Sequence, residues 1–546
     1  MNKKGDADTV FSAERFLWEL QRAFYSMKNS PVLAVILFEG AAFIVVHAKG
    51  AGKIYGDMIG ILLLITLLGW LLNSMMHGNK KIVTGAFLLL TVGTMLQCIM
   101  KQEQLIKNPG TGQTGNPAAD LQIQYLAAFA AAIVMATVYR KCPKIASMRA
   151  CRILTASALS LSALTLIVAK GVGNVKNWIH IGGISLQTTE IVKLLYVFIA
   201  SALLGTTKQP SPQRIRVFYG VTIAEGFFLA MQSEFGTMLL LLMVFFTYVF
   251  LFLPDIKVFF KTMAVLGVCV TIAVMAGIQL DRWREAGLFL GTNPAAGLYL
   301  SNYHKITNRF IYWMNPEKDA LGLGYQLLKA RESIVLGGWF GTASVTDLPV
   351  KTSDLVYPAL IQRCGMVFAL LIFFVYIMMW LEGIRLVIRK QDRYHQAVGA
   401  GLIFMFFDQT LIIIGGSTGL CPLTGITLPF ISSGGSSLMV TFMTIGLLLA
   451  ISGNIKWKGT VQNEEDEFFK ENAMAAKCYA ALRHFYAHLP RPNFRPAAGS
   501  LRGGGQTENE GKGKDVCQRV HKREHQRQRG KHSGGFRKTG RKKKVQ

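Results

Sequence analysis

The sequence predicts an all-α polytopic membrane protein, and three observations support this fold class. Of the 546 residues, 51% are hydrophobic and only 16% are charged, which is too apolar for a soluble globular protein. Apolar runs of roughly 20 residues recur, and a helix of that length crosses a hydrocarbon core of about 30 Å. These runs show no strand-like alternation of apolar and polar residues, so helices are predicted rather than a barrel.

About twelve transmembrane helices are predicted in this way. In chain order they are 31–46, 57–76, 82–100, 121–139, 153–169, 187–204, 215–231, 236–253, 258–278, 355–381, 397–414 and 436–451. Lys and Arg concentrate before the first span, in the loops at 140–152 and 385–393, and after the last span. This asymmetry places both termini in the cytoplasm and makes 279–353 one large extracytoplasmic loop.

Composition divides the chain into four regions. Residues 1–30 form a cytoplasmic N-terminal segment, 31–170 the N-terminal helices, 171–454 a membrane core and 455–546 a basic cytoplasmic tail. The tail is rich in Gly, Lys and Arg, which predicts disorder, and it holds much of the net charge of +28. We expect it to bind anionic lipid at about 1 kcal/mol per basic residue. Nucleic-acid or partner binding is the weaker alternative, and no nucleic acid is expected.

Several ionisable residues lie within apolar runs, where they are expensive and therefore candidates for function. They are Glu39, Glu190, Lys193, Glu225, Glu234 and Asp408. Glu190 and Lys193 are three residues apart and share one helical face. For each residue the alternative is a hydrogen bond or ion pair that only holds the bundle together. No CxxC motif and no cluster of histidines is present, so neither a disulfide nor a protein-built metal site is predicted.

Two segments near the C-terminal end of the core are unusual. Asp354 lies between the long polar loop and an apolar run, where it either carries chemistry or, with Ser353, caps a helix. The stretch 419–438 contains two prolines and several glycines but no charge, which indicates an irregular segment packed within protein. The alternative is a tight turn in which Ser432 or Ser433 caps the following helix.

Six motifs follow one another in the order typical of the SEDS (shape, elongation, division and sporulation) family, which includes RodA and FtsW. They are NWIHIGGISLQTTEIVKL, QSEFGTM, RFIYWMNPEKDALGLGYQLLKA, GGWFGT, TSDLVYPALIQRCG and GLCPLTGITLPFISSGGSS. The chain resembles this family over about 175–454. The resemblance implies a glycosyltransferase that polymerises lipid II into peptidoglycan strands outside the bacterial cytoplasmic membrane, in elongation, division or sporulation. It also implies a single-span class B penicillin-binding transpeptidase as the partner.

The resemblance also assigns roles to residues. Asp354 matches the catalytic Asp and would act as general base toward the acceptor sugar's 4-hydroxyl. Positive charge for the leaving diphosphate would come from Lys193, Arg309 and Lys329, or from a divalent cation such as Mg²⁺ or Mn²⁺. The other residues that match the family's central cavity are Trp178, Glu190, Gln232, Glu234, Gln326, Gln409, Pro422, Thr424, Pro429, Ser432 and Ser436.

The sequence also departs from the family pattern. Ser233-Glu234 replaces the usual Pro-Asp, and Ile361-Gln362-Arg363 replaces the Gly-Glu-Glu that follows the catalytic Asp. Five predicted spans rather than three precede Trp178. These departures predict a divergent member. Two other functions stay open: a flippase or transporter of lipid-linked precursors, whose turnover would survive loss of Asp354, and a non-catalytic scaffold of a division complex, in which the tail would matter more than the cavity.

Overall fold

The computed structural model describes eight stretches of the chain. They are 55–76, 79–107, 117–168, 178–181, 184–287, 294–322, 324–342 and 347–453. The predicted first span at 31–46, which contains Glu39, lies outside the described residues. So do the N-terminal segment 1–30 and the basic tail 455–546.

The described residues form fourteen α-helices and one short β-hairpin. The helices are α1 (Tyr55–Met76), α2 (Lys80–Lys107), α3 (Pro117–Lys141), α4 (Met148–Val168), α5 (Thr188–Leu204), α6 (Pro212–Met231), α7 (Phe235–Phe252), α8 (Ile256–Glu285), α9 (Pro294–Met314), α10 (Tyr325–Gly337), α11 (Val356–Cys364), α12 (Met366–Ile388), α13 (Arg393–Thr418) and α14 (Gly435–Ser452). The hairpin lies between α4 and α5. It pairs β1 (Trp178–Ile181) with β2 (Ile184–Gln187) in antiparallel register.

The all-α membrane fold is confirmed. Eight of these helices are long and apolar enough to cross a membrane, namely α2, α3, α4, α7, α8, α12, α13 and α14. Helices α1, α5 and α6 coincide with three further predicted spans, although the apolar part of α1 is short, Ile59–Leu72. The total of twelve spans stays a prediction. Within the predicted extracytoplasmic loop 279–353, the structure has the end of α8 and the whole of α9 and α10.

The prediction of one continuous span over 355–381 is wrong, because the chain breaks there into α11 and α12. The break lies at Gly365, whose φ of 88° and ψ of 166° belong to a region that is almost exclusive to glycine. The backbone N–H of Met366 donates to the carbonyl of Gly338 at 2.9 Å. A Cβ on Gly365 would collide with the backbone of Trp339. Close approach of the loop after α10 therefore makes the break.

Burial separates central from peripheral helices. Helices α2, α13 and α14 are largely buried, whereas α8 is almost wholly exposed. Lipid is as apolar as a leucine side chain, so buried helices in a membrane are held by close packing and by polar contacts. Thr94 of α2 and Tyr125 of α3 share a hydrogen bond of 2.6 Å. Gly446 of α14 packs against the backbone of Ala132 of α3, where a Cβ would not fit.

Between α13 and α14 the chain runs without an α-helix from Gly419 to Gly434, as the sequence predicts. Most of its apolar side chains are at least half-buried, and Leu428 and Ile431 are almost completely buried, whereas Leu420 is exposed. The backbone polar groups find partners, as they must away from water. For example, the Pro429 carbonyl accepts from the Tyr376 hydroxyl at 2.5 Å. We call residues 419–434 the irregular segment.

Candidate functional site

Asp354 lies in the turn that precedes α11. That helix has Leu355 at its N-cap and no side-chain hydrogen bond capping it. Neither Asp354 nor Ser353 therefore fills the capping role that the sequence left open. The carboxyl faces the irregular segment, where a Cβ on Gly425 would lie 3.5 Å from Oδ2 of Asp354. Gly425 has a φ of 74°, which further favours glycine at this position.

The irregular segment holds the turn that carries Asp354. Ser432 Oγ donates to the carbonyl of Ser353 at 2.7 Å and accepts from the Leu428 N–H at 2.9 Å. The Ser433 N–H donates to the Thr352 carbonyl at 2.8 Å. These serines do not cap α14, whose N-cap is Gly434. Their hydrogen bonds instead fix the backbone on the N-terminal side of Asp354.

A cavity of about 350 Å³ opens beside Asp354, within the size range of small-molecule sites. Its walls combine positive charge, hydroxyl and amide groups, and apolar side chains. The residues that line it are Ser233, Phe235, Lys305, Asn308, Arg309, Tyr312, Trp313, Gln326, Leu327, Asp354, Leu423 and Gly425. Of the sequence-predicted site residues, the cavity brings together Asp354, Arg309 and Gln326.

Helix α9 supplies both cations of the cavity wall. Arg309 Nη1 donates to the carbonyl of Thr424 at 3.1 Å. Lys305, one helical turn earlier, donates from Nζ to Ser233 Oγ at 3.0 Å. Ser233 has a φ of 61°, and its hydroxyl donates in turn to Asn302 at 3.0 Å. Lys305 and Arg309 therefore lie one turn apart on α9 and line the same cavity as Asp354. Two such cations form a surface suited to an anion with more than one negative charge.

Burial shifts the pKa of the ionisable groups at this site, and neighbouring groups oppose or add to the shift. Burial raises the pKa of the Asp354 carboxyl above its usual range, and a hydrogen bond with Ser353 and the charge of Arg309 oppose the shift. Burial also raises the pKa of Glu234, which accepts a hydrogen bond from Thr237 at 3.2 Å. Partial burial and the charge of Arg309 lower the pKa of Lys305. A carboxyl with a raised pKa in a cleft is a candidate acid–base group.

A second polar cluster is formed by helices α5 and α13 and is separate from the lining of the cavity. Lys193 Nζ donates to Glu190 at 2.9 Å and to the side-chain oxygen of Gln409 at 3.1 Å. Gln409 Nε2 donates to the Thr427 carbonyl at 2.8 Å. The shared face predicted for Glu190 and Lys193 is therefore present. The charge of Lys193 is balanced by Glu190. Lys193 is not among the residues that line the cavity.

The remaining predicted site residues are not part of the cavity wall. Lys329 is on α10 and pairs with Glu332 at 2.7 Å, so this position gives no support to a phosphate contact. Trp178 lies on β1, Ser436 Oγ accepts from the Gln187 N–H, and Gln232 donates to the Ser162 carbonyl. Pro422, Thr424 and Pro429 belong to the irregular segment. Substrate contacts by these residues, and by Glu190, Glu234 and Ser432, stay predictions.

No group of three His, Cys, Asp or Glu side chains that could hold a metal ion occurs among the described residues. Asp354 is the carboxylate on the wall of the cavity. Glu234 lies in the sequence between two lining residues, Ser233 and Phe235. One carboxylate beside two cations does not match a protein-built cage for a divalent ion.

Comparison with known proteins gives consistent matches. A family model described as "Cell cycle protein", that of FtsW, RodA and SpoVE, matches residues 88–456. Stage V sporulation protein E of Bacillus subtilis (strain 168) is 31% identical over 300 residues, which are 53% of this chain and 75% of that protein. Peptidoglycan glycosyltransferase RodA of Mycobacterium tuberculosis (strain ATCC 25618 / H37Rv) is 27% identical over 364 residues, 62% of this chain and 71% of that protein.

A solved structure with a similar fold was found. It is a chain from work described as "Structural coordination of polymerization and crosslinking by a peptidoglycan synthase complex". The match has a TM-score of 0.52 with 19% sequence identity and covers 71% of this chain and 99% of that chain. At this identity the likeness concerns the fold alone.

Proposed function

The chain belongs to the FtsW/RodA/SpoVE family, and from that premise we propose that it is a peptidoglycan glycosyltransferase in which Asp354 is the general base. It polymerises lipid II in synthesis of the bacterial cell wall, as a multi-pass protein of the cytoplasmic membrane. The observation that carries the assignment of the site is the position of Asp354 beside Arg309 and Lys305 in one cavity.

The chemistry follows from these three groups. An Asp354 oxygen accepts the proton of the acceptor sugar's 4-hydroxyl as that oxygen forms a bond to the anomeric carbon of the donor. The bond from the anomeric carbon to the diphosphate oxygen breaks, and polyprenyl diphosphate leaves with the electron pair. A carboxyl whose pKa is raised by burial is a stronger base than an ordinary Asp.

Arg309 and Lys305 would stabilise the negative charge that develops on the leaving diphosphate. Arg309 offers a planar fork of N–H donors, and the structure uses one of them on the Thr424 carbonyl. Lys305 adds a second positive charge one turn away. Mg²⁺ or Mn²⁺, if required, would be held largely by the substrate's diphosphate and would supply further positive charge there, because the described residues supply no closed set of ligands.

The orientation and partner extend the same proposal. The Asp354 end of the bundle would face the outside of the cytoplasmic membrane, with both termini inside. A class B penicillin-binding transpeptidase would be the partner, since a similar fold occurs in a peptidoglycan synthase complex. Anionic lipid would bind the basic tail. A flippase and a scaffold are the competing functions, and neither requires the carboxyl that lies beside the two cations.

We expect purified protein to convert lipid II into glycan strands in the presence of Mg²⁺ or Mn²⁺, with higher yield when a transpeptidase partner is co-expressed. The reason is that the cavity contains both a base and a site for the leaving anion. The measurement is electrophoresis of labelled product. Absence of product in all conditions, together with scrambling of labelled lipid across vesicles, would instead support a flippase.

The acidic limb of the pH–rate profile should reflect protonation of the Asp354 carboxyl. The rate falls as pH drops through the pKa of Asp354, because the protonated carboxyl cannot accept a proton. The hydrogen bond with Ser353 lowers that pKa, so Ser353→Ala should move the acidic limb to higher pH. Ser433→Ala is the matched control, since the contact of Ser433 with this turn is made by its backbone N–H. A limb at the same pH in both variants would contradict the assignment.

A further inference from the structure

Glu103, near the C-terminal end of α2, has its carboxylate between two cations. Oε2 lies 3.0 Å from Nζ of Lys351, and Oε1 contacts the guanidinium of Arg363. The side chains of Glu103, Lys351 and Arg363 are only 20%, 10% and 11% exposed. Such a cluster is poorly screened by water, so removing its single negative charge would leave two mostly buried cations close together.

The two cations lie on either side of Asp354 in the sequence. Lys351 belongs to the turn that precedes it, and Arg363 is close to the end of α11. One carboxylate on α2 therefore joins both ends of the segment 351–363 to the same helix. We call this set of three side chains the Glu103 clasp.

Helix α2 contacts this segment at a second point. Gln97 Nε2 donates to the carbonyl of Thr352 at 2.9 Å and to that of Ile431 at 3.1 Å. Gln97 and Glu103 are six residues apart, which is about 9 Å along a helix. The turn before Asp354 is thus held to α2 by an amide and by a carboxylate, while the irregular segment holds it from the other side through Ser432.

We propose that Glu103 is a positioning residue for Asp354: through Lys351 and Arg363 it fixes the turn and helix that carry the catalytic carboxyl. This inference rests on the proposed function. It also explains Arg363, which stands where the family pattern has an acid. The positive charge of Arg363 is paired with Glu103 on α2. The departure from the family pattern therefore gives the segment 351–363 an ion pair with that helix. Glu103 is not on the cavity wall, so it acts through the segment and not on the substrate.

The test compares Glu103→Gln with a matched control. We expect Glu103→Gln to lower kcat by about 10-fold to 100-fold, since a displacement of about 1 Å in a reacting group has effects of that order. KM for lipid II should change less than about twofold, because the lining of the cavity is intact. The triple variant Glu103→Arg, Lys351→Glu, Arg363→Glu, which reverses all three charges, should recover part of the lost kcat.

Glu382→Gln is the control for stability. Glu382, on α12, accepts from Asn79 at 3.0 Å and from Arg385 at 3.0 Å, and it lies 3.5 Å from Lys81. It therefore contacts the opposite end of α2, away from Asp354, in a cluster that is more exposed, since Lys81 and Arg385 are 71% and 30% exposed. We expect this variant to lose less thermal stability than Glu103→Gln and to keep its kcat. An equal loss of kcat in both variants would overturn the proposal.

Hydrogen–deuterium exchange of the peptide spanning 350–364 gives a readout that does not depend on activity. Exchange should be faster in Glu103→Gln than in wild type. In Glu382→Gln it should match wild type, and in the charge-reversed triple variant it should be slower than in Glu103→Gln. Unchanged exchange in Glu103→Gln would overturn the clasp whatever the activity. If wild-type protein forms no glycan, the proposed function fails, and the exchange data alone decide whether Glu103 holds the segment.

Discussion

Asp354→Asn is expected to lower the rate of glycan polymerisation by at least about 100-fold, the low end of the contribution of a general base. Asn has nearly the same shape as Asp but cannot take up the proton of the acceptor hydroxyl. The fold should be unaffected, because Asp354 does not cap α11 and Asn can keep the hydrogen bond with Ser353. The measurement is initial rate with purified protein and labelled lipid II.

Two controls separate this loss from misfolding and from weaker binding. The thermal midpoint in detergent should stay close to that of wild type, and the Kd for lipid II should change little, since the cations that face the diphosphate are untouched. Ser433→Ala, which leaves its backbone contact with the same turn, should polymerise normally. Product from Asp354→Asn at the wild-type rate would remove Asp354 from the chemistry and favour a flippase or a scaffold.

The membrane fold could be predicted from sequence because apolar runs of about 20 residues have few alternatives in lipid. The same search failed at 355–381, where Gly365 is a single interruption in an apolar pattern, and an isolated glycine is usually tolerated in a helix. The break depends on Gly338 and Trp339, which reach Gly365 only in the folded chain. A tertiary contact of this kind leaves no local pattern.

The cations of the site were predicted only in part, because a search for apolar runs cannot find α9. Arg309 came from the family motif, but Lys305 was missed, as were its cavity neighbours on the same helix. A signal was present, since the cavity residues of α9 follow one another at helical spacing: Lys305, Asn308, Arg309, Tyr312 and Trp313. A stripe of this kind within a polar loop predicts an amphipathic helix with one functional face.

Glu103 shows the other limit of sequence reasoning. It lies beyond the apolar part of its helix and matches none of the family motifs, so nothing local distinguishes it from an ordinary surface acid. Its partners are about 250 residues away in the chain, at Lys351 and Arg363. The sequence did show that Arg363 departs from the family pattern. It could not show that α2 brings a carboxylate to that position.

Arg309→Ala is expected to lower kcat/KM for lipid II by about 100-fold, the order of effect seen when one donor to a developing negative charge is removed. The substitution removes a charge that acts on Asp354 and also the hydrogen bond to the Thr424 carbonyl in the irregular segment. Arg309→Lys keeps the charge but not the planar fork, so its activity should lie between the two.

Lys329→Ala is the matched control, because Lys329 is also a cation of the same loop but pairs with Glu332 outside the wall of the cavity. It should polymerise at close to the wild-type rate.

The role of Arg309 can be separated from general damage by product inhibition. Wild-type protein should bind polyprenyl diphosphate more tightly than the monophosphate, because two cations face the leaving group, and Arg309→Ala should lose most of that preference. If Arg309→Ala keeps the preference, or if Lys329→Ala loses as much activity, the diphosphate must lie elsewhere. The second cluster, where Lys193 pairs with Glu190, would then be the next position to test.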